Sequence, residues 1–507
     1  MTGPQLPAGQ LLTLSDLGRV HFIGIGGAGM SAIARILLAR GVGVSGSDGK
    51  DSAGLRELEA LGATVHVGHA AHAVGGADTV VVSSAIRDSN PELAAARAVG
   101  LRVLHRSQAL AAAMAADRVV AVAGTHGKTT TTAMITVLLR SAGLDPSFAI
   151  GGTVPALGVN AASGSSDIFV AEADESDGSF LNYRPQIAVV TNVEPDHLDH
   201  YGTAEAVYES FDRFAALLPP GGLLVACADD DGALALAQRA RAAGTRVVLY
   251  GHGDSADLQL SAAMSSTGLS TQSTVLIRDG SSAGPSYGPP RPVLEVPLRL
   301  QVPGAHNALN AVAAIAVALE LGIDPAAAAA AVSGFSGAAR RFELKGTGAG
   351  VDVYDDYAHH PTEVEAALRA ARTVAGKHRV HVLFQPHLFS RTREFAAAFA
   401  RALELADDVA VLDIYPARED PIPGVSSELI TAAPGAPAAT GGTGGRVRYA
   451  PDAAAAVDSL AAAAEPGDII LTVGAGDVTE YGQALVRALE GRDLKAPARG
   501  TEGNHGR

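Results

Sequence analysis

At a soft prior of about 150 residues per domain, 507 residues suffice for roughly three domains that each close a core, which excludes a peptide hormone or a stapled mini-protein. The balance of 38 basic against 53 acidic side chains gives a formal charge of −15, and no basic run or aromatic-interleaved patch relieves it, so no nucleic acid partner is expected. One cysteine, Cys227, permits neither an internal disulfide nor a cysteine metal cluster; with no signal-peptide pattern at the start and no run of about 18 apolar residues, a cytoplasmic protein without membrane insertion is expected.

Short β-branched runs, Gly-rich turns and Ala-rich helical stretches alternate along the chain, the pattern of an α/β protein with parallel sheets covered by helices. Val20–Ile23 reads as a strand and 30–38 as a helix, with further strands at Thr79–Val82 and 102–104. A helix over 107–116 leads to a new strand at 119–123 and a second Gly-rich turn, which places a boundary near residue 117. Strands at 168–171, 187–191, Leu223–Cys227 and 247–250 build the next unit, and 258–300 reads as antiparallel strands around the loop SSAGPSYGPPRP. A helix over 307–321 closes it. The last unit has strands near 351–354, 379–384, 408–412 and Ile469–Val473, interrupted by the low-complexity stretch APGAPAATGGTGG. The expected domains are therefore 1–117, 118–335 and 336–494, followed by a disordered tail at 495–507.

Gly24, Gly26 and Gly29 form G-x-G-x-x-G between strand and helix, and Asp48 stands about where a ribose-binding acid belongs. Backbone amides at a helix N-terminus suit NAD or any other nucleotide diphosphate, and the glycines do not choose between them. Gly124, Thr125, His126, Gly127, Lys128, Thr129 and Thr130 follow a strand and open a helix, so that amides, an ammonium and a hydroxyl are gathered for a triphosphate and magnesium. Only five lysines occur in the whole chain, and one falls at the phosphate position. The loop is short by the usual pattern, since Val122 stands where a glycine is common. AEADESDGSF then offers Glu172, Asp174, Glu175 and Asp177 at a strand end, where a carboxylate could hold magnesium. TNVEPDHLDHYG places His197 among carboxylates, a ligand set for a second cation. In GAHNALNA, Asn307 and Asn310 either cap a helix or read adenine. RRFE, DDYAHHPTE and FQPHLFSRTR bring adjacent acids, paired histidines and arginines to strand ends, where packing alone has little use for them.

As a set these motifs, with HFIGIGGAGMSAIA and SSAI, resemble the Mur ligase superfamily, ATP-dependent amide-forming enzymes of peptidoglycan synthesis, in the family's order along nearly the whole chain. The resemblance implies a Rossmann-like N-terminal domain for a UDP-sugar, a central P-loop ATP domain with an additional small antiparallel sheet, and a Rossmann-like C-terminal ligase domain. It implies UDP-sugar contacts at Gly24, Gly26, Gly27, Gly29, Met30, Ser31, Asp48, Ser83 and Ser84, with ATP held by the phosphate loop, Asn307, Asn310, Arg341 and Asp356. Magnesium falls to Thr129, Glu172 and His197, the amino-acid substrate to His359, His360 and Arg391, and catalysis to Lys128, His197, Asp356 and Arg391. The reaction implied is ATP-dependent joining of L-alanine to the carboxylate of UDP-N-acetylmuramate through an acyl phosphate, by a monomer or weak homodimer. A ligase adding a whole tripeptide to the same UDP-sugar is the alternative, and an NAD-dependent oxidoreductase would leave the P-loop without a task. Two positions depart from the family: Asp212 stands where several relatives carry a carbamylated lysine, and Leu388 where arginine is frequent.

Overall fold

The computed structural model describes residues 12–278, 293–417, 419–433 and 447–493. These fall into two units, the first ending at Ala338 and the second following it, except that the short segment Ser266–Leu269 groups with the second. Segments 281–292, 434–445 and 495–507, expected to be loops and a tail, lie outside the described residues.

The first unit begins with a five-stranded parallel sheet in the order Thr64–Val67, Val44–Asp48, Val20–Ile23, Thr79–Val82, Arg102–His105. Val20–Ile23 is buried along its whole length, as its continuous apolar run requires of a strand covered on both faces. Strand order reverses at this strand, which opens a crevice beyond its carboxyl end. Val44–Asp48, sequence VSGSD, has no apolar run to announce it. Its Gly46 is needed for contact, because a Cβ there would fall 2.9 Å from the Phe22 carbonyl oxygen and 2.6 Å from Ile25 Cδ1.

A larger sheet follows in the same unit. Its parallel part runs Arg246–Gly251, Leu223–Cys227, Ile187–Val190, Arg118–Ala123, Ile168–Glu172, Ser147–Ala149. The antiparallel strands expected over 258–300 are present, and they continue this sheet: Leu258–Leu260 pairs with Ser270–Arg278, which pairs with Val293–Leu300. Helix Lys128–Ser141 is buried through most of its length despite the run Thr129–Thr132. Thr132 and Thr136 return their hydroxyls to the carbonyls of Lys128 and Thr132, each at 2.8 Å, which satisfies them locally. Helix Ala305–Glu320 packs against it. Helix Pro325–Val332 was not read from the sequence, although Asp324 caps it and Pro325 occupies its first position. One apolar core joins both sheets.

The second unit is a six-stranded sheet in the order Glu343–Gly348, Val351–Asp356, Ile469–Val473, Val380–Phe384, Asp408–Val411, Val447–Tyr449, parallel except for its first pair. Helices Pro361–Ala375 and Phe389–Leu403 contribute Val364, Leu368, Phe399 and Leu403 to one core. Ala453–Ala463 and Glu480–Asp493 contribute Leu460, Leu485 and Leu489 to the other. Among the described residues no helix is long and apolar enough to cross a membrane.

Candidate functional site

The first glycine-rich turn leaves Val20–Ile23 where strand order reverses. Gly24 has φ 81°, and the Gly27 N–H returns to its carbonyl at 3.2 Å. Asp48, ending the neighbouring strand, accepts from the Gly26 N–H at 3.0 Å, an approach a side chain would block, since a Cβ on Gly26 would lie 2.9 Å from that oxygen. Helix Ala28–Ala39 starts with Gly27 as its cap and no capping side chain, so the amides of Ala28, Gly29 and Met30 have no intrahelical acceptor and favour an anion. Met30 is buried in the core, and its N–H is one of these three. Ser31 donates its hydroxyl to the Ala28 carbonyl at 3.1 Å. Ser83 and Ser84 lie in the turn after Thr79–Val82 on the other side of the reversal, and Ile86 from that turn reaches within 3.5 Å of a Cβ built on Gly24.

The second turn is short because its strand is long. Val122 is fully buried in Arg118–Ala123 and paired with Glu172, and only 124–127 separate that strand from the helix beginning at Lys128. Thr191 donates to the His126 carbonyl at 2.5 Å, Asn192 Oδ1 accepts the His126 N–H at 2.7 Å, and Thr125 Oγ1 accepts the Glu194 N–H at 2.9 Å. The loop is thus laced to the strand beside it. Gly124 must be glycine, having φ 136° and Thr191 Oγ1 at 2.0 Å from any Cβ.

Around this loop the polar groups converge. Lys128 Nζ donates to the carbonyls of Gly124 (2.7 Å) and Thr125 (3.1 Å) and to Glu175 Oε1 (2.9 Å). Burial opposes its charge, yet Glu175 and Asp174 outweigh burial and hold the ammonium above the ordinary lysine range. Thr129 Oγ1 donates to Glu172 Oε1 at 3.0 Å, and Gly151 N–H donates to the other oxygen at 2.7 Å. A Cβ on Gly151 would sit 2.7 Å from Glu172, so the glycine leaves room for the carboxylate. A hydroxyl and a carboxylate at the phosphate loop are the hard oxygen donors that magnesium takes. His197 has φ 55° and ψ 38°, an uncommon conformation for a non-glycine residue. Its Nε2 comes within 3.6 Å of Glu175 Oε1 and 3.7 Å of Asp196 Oδ2. Thr130 is buried in the first turn of the helix. Asn310 abuts the loop, its Oδ1 3.2 Å from a Cβ built on Gly127, and Asn307 donates to the Pro303 carbonyl at 2.7 Å. Neither caps the helix, whose cap is Gly304 without a side-chain bond; that alternative is corrected.

Three other findings bear on this unit. Asp212 accepts from Arg239 Nε at 2.9 Å on a partly exposed helix face, so it serves a surface ion pair. Arg106, which no motif singled out, donates to Asp174 at 2.7 Å and lies 3.1 Å from a Cβ built on Gly29. Burial opposes the Asp174 charge, but Arg106 and Lys128 prevail and hold its carboxyl at about 2. Arg106 lines a cavity of about 230 Å³ with Gly29, Gly151, Glu172, Asp174 and Tyr183, connecting the fingerprint helix to the Thr129–Glu172 pair.

In the second unit, Asp355 and Asp356 end the strand Val351–Asp356 with different tasks. Asp355 is consumed by Thr472, Thr479 and Arg340 at 2.7, 2.7 and 3.2 Å. Asp356 accepts only backbone N–H groups in the hydrogen bonds described, from Phe342 (2.9 Å) and Ala358 (2.8 Å), and burial pushes its carboxyl up to about 6 against the pull of Arg341. Arg340 and Phe342 have φ of 59° and 51°, so Arg341 is presented by a strained turn, with its guanidinium 5.2 Å from the Tyr357 ring centroid. Glu363 accepts the N–H groups of His359 (2.9 Å) and His360 (3.3 Å). Burial pushes His359 down to about 3, so the ring is neutral; its Nδ1 faces the Tyr357 carbonyl and the Glu363 carboxylate, each at 3.1 Å, which assigns the proton to Nδ1 and leaves Nε2 as an acceptor. The His360 ring meets Phe395 at 4.8 Å between centroids. Leu388 is buried with φ 69° at the start of helix Phe389–Leu403, one turn before Arg391, whose Nη1 lies 3.5 Å from His387 Nδ1.

The family descriptions that match the chain are the Mur ligase family, catalytic domain, over residues 19–118, the Mur ligase middle domain over 122–318 and the Mur ligase, glutamate ligase domain over 340–476. The chain is 67% identical to the UDP-N-acetylmuramate–L-alanine ligase of Renibacterium salmoninarum, covering 94% of this chain and 97% of the relative. It is 54% identical to that of Thermobifida fusca, over 94% and 98%. Among solved structures it resembles the UDP-N-acetylmuramate-alanine ligase of Thermotoga maritima with a TM-score of 0.73 and 28% identity, over 94% of this chain and 99% of that one. It also resembles a murein peptide ligase of Psychrobacter arcticus, with a TM-score of 0.66 and 27% identity over 93% and 99%. The chain belongs to the Mur ligase family.

Proposed function

We propose that the protein uses ATP to join the amine of L-alanine to the muramyl carboxylate of UDP-N-acetylmuramate, a step of peptidoglycan precursor synthesis in the cytoplasm. The observation that carries this reading is the 67% identity maintained along 94% of the chain with a relative named for that reaction. Residues 1–117 are assigned to the UDP-sugar, 118–335 to ATP and 336–494 to completing the ligase. Gly24, Gly26, Gly27, Gly29 and the turn Ser83–Ser84 serve the diphosphate, with Asp48 holding the glycine loop in shape. Asn307 and Asn310 serve adenine, and Arg341 and Asp356 complete the nucleotide contacts. Thr129 and Glu172 hold one magnesium and His197 a second. Bound there, magnesium would neutralise phosphate charge as it is transferred.

The chemistry follows from the difficulty of the direct reaction, because a carboxylate resists attack by an amine. A muramyl carboxylate oxygen attacks the γ-phosphorus, the bond to the β-phosphate oxygen breaks, and ADP leaves an acyl phosphate. Lys128 disperses charge at that centre. The alanine nitrogen then attacks the acyl carbon, phosphate departs, and the nitrogen loses a proton as the amide forms. That proton passes to solvent, while His359, His360 and Arg391 hold the amino acid, the neutral His359 ring offering Nε2 as a hydrogen-bond acceptor. Phosphate release should require ATP, UDP-N-acetylmuramate and L-alanine together, and L-alanine should exceed a peptidoglycan tripeptide by more than about tenfold in kcat/KM. Preference for the tripeptide would replace this reading with that of a recycling ligase, and phosphate release indifferent to UDP-N-acetylmuramate would overturn both.

A further inference from the structure

The Lys128 ammonium has three donors, and three oxygens take them: the Gly124 and Thr125 carbonyls and Glu175 Oε1. A triphosphate cannot receive a hydrogen bond from this lysine until one of those is given up. The two carbonyls belong to the loop and move only with it. Glu175 is the exchangeable partner, since a polyanion arriving beside its carboxylate repels it and competes for the same cation. The residue is built to swing without disturbing the chain: its own carbonyl is fixed by the Tyr201 hydroxyl at 2.5 Å and by the Gly178 N–H at 3.0 Å. A second observation is independent of the lysine. Glu175 is only 2% exposed, yet its Oε2 has no hydrogen-bond partner among the described residues, a buried acceptor left unsatisfied at a cost.

We propose that Glu175 is a positioning residue that holds Lys128 in reserve, closing its third donor in the nucleotide-free protein and surrendering it when a triphosphate arrives. Part of the affinity for ATP is thus used to break the Lys128–Glu175 pair, and the released carboxylate lies beside His197 Nε2, 3.6 Å away before any movement. The inference rests on the phosphate-loop role proposed above for Lys128.

The test is binding of ATP to the full chain in excess EDTA, followed by calorimetry, with no ligase turnover involved. Glu175→Gln keeps the side-chain shape and an oxygen for Lys128 but removes the competing charge, so metal-free ATP should bind about ten- to a hundredfold more tightly than to the parent, the span of one charged hydrogen bond. AMP, which has no β- or γ-phosphate, should gain less than about twofold. In a Lys128→Ala background the same substitution should produce no comparable gain, because no pair remains to be broken. Unchanged or weaker ATP binding by a folded Glu175→Gln protein would overturn the inference, as would an equal gain for AMP or a gain that survives loss of Lys128. Failure of the parent to bind ATP at all would instead remove the phosphate-loop reading, and the inference with it. Glu175→Ala provides a second variant, expected to shift ATP binding in the same direction.

Discussion

Lys128 and Glu175 form an ion pair with 15% and 3% of the two side chains exposed, so each residue is a stability element as well as part of the site. Removing one member of a buried pair leaves an uncompensated charge and costs about 3–5 kcal/mol. Lys128→Ala should accordingly lower the urea midpoint and cut phosphate release by about 10²–10³, the typical worth of one electrostatic donor. Adding Glu175→Gln should restore most of the midpoint without restoring turnover; recovery of both together would show that the lysine matters only for folding. Asp356 gives a residue-scale prediction in pH. Its carboxyl rises from 3.8 to about 6 on folding, so between those values the native state binds more protons than the unfolded chain and stability falls as pH increases. Above about pH 6 the loss levels off at about 3 kcal/mol, two pKa units converted at 1.36 kcal/mol each. Asp356→Asn cannot titrate and should lack this slope. Its loss of one backbone hydrogen bond is independent of pH, so the comparison of urea unfolding at pH 4.5 and 7 isolates the charge, and parallel slopes in parent and variant would refute the assignment.

Among the elements, Arg40 at the end of helix Ala28–Ala39 ties the fingerprint sheet to the larger sheet. Its guanidinium donates to the Ala113 carbonyl, to Asp117 at 2.8 Å and Ser147 at 2.9 Å, and lies 5.5 Å from the Phe169 ring centroid. Arg40→Ala should destabilise the first unit by about 3 kcal/mol, and Arg40→Lys should recover less than half of that because a point charge cannot reproduce the fork. Thermal unfolding would expose the difference, and a lysine variant as stable as the parent would sink the argument. No local pattern marks Arg40, which shows where sequence reading stops. Buried strands such as Val20–Ile23, Leu223–Cys227 and Ile469–Val473 were legible because both faces are covered and the apolar run is continuous. Val44–Asp48, Glu343–Gly348 and Val447–Tyr449 were not, since polar residues and glycines occupy them and only pairing with a neighbour makes them strands. The same division holds at the site. Glycines and Lys128 stand out because strand, turn and helix are adjacent in sequence, whereas Arg106 beside Gly29 and Glu175 on Lys128 are brought together by distant segments. The role of Asp212 was not legible for the matching reason: spacing from His197 alone carried no information about Arg239.

For the whole molecule, the apolar cores predict how the chain can be divided. The core that joins the two N-terminal sheets is drawn from Leu12 to Ala338, while the two cores of the last sheet draw their buried residues from Val351 onward. A cut at residue 117 would therefore strand Leu110, Ala111 and Met114 without their partners and separate Arg40 from Ser147 and Phe169. A cut after Ala338 severs no buried core residue from its core and takes only the partly buried Leu269 from the last sheet, since Ser266–Leu269 groups with the second unit. A fragment of residues 1–338 should unfold cooperatively, whereas 1–117 alone should not hold a fixed structure. The longer fragment retains every residue assigned to the UDP-sugar, so its affinity for UDP-N-acetylmuramate should stay within about threefold of the full chain. It lacks Arg341 and Asp356, so ATP should bind about tenfold more weakly, the worth of one or two lost charged contacts. It also lacks His359, His360 and Arg391 and should release no phosphate in response to L-alanine. Calorimetric titration of each ligand into the fragment checks all of this. Loss of UDP-sugar binding by a cooperatively folded fragment would mean that the fingerprint turn does not by itself hold that substrate.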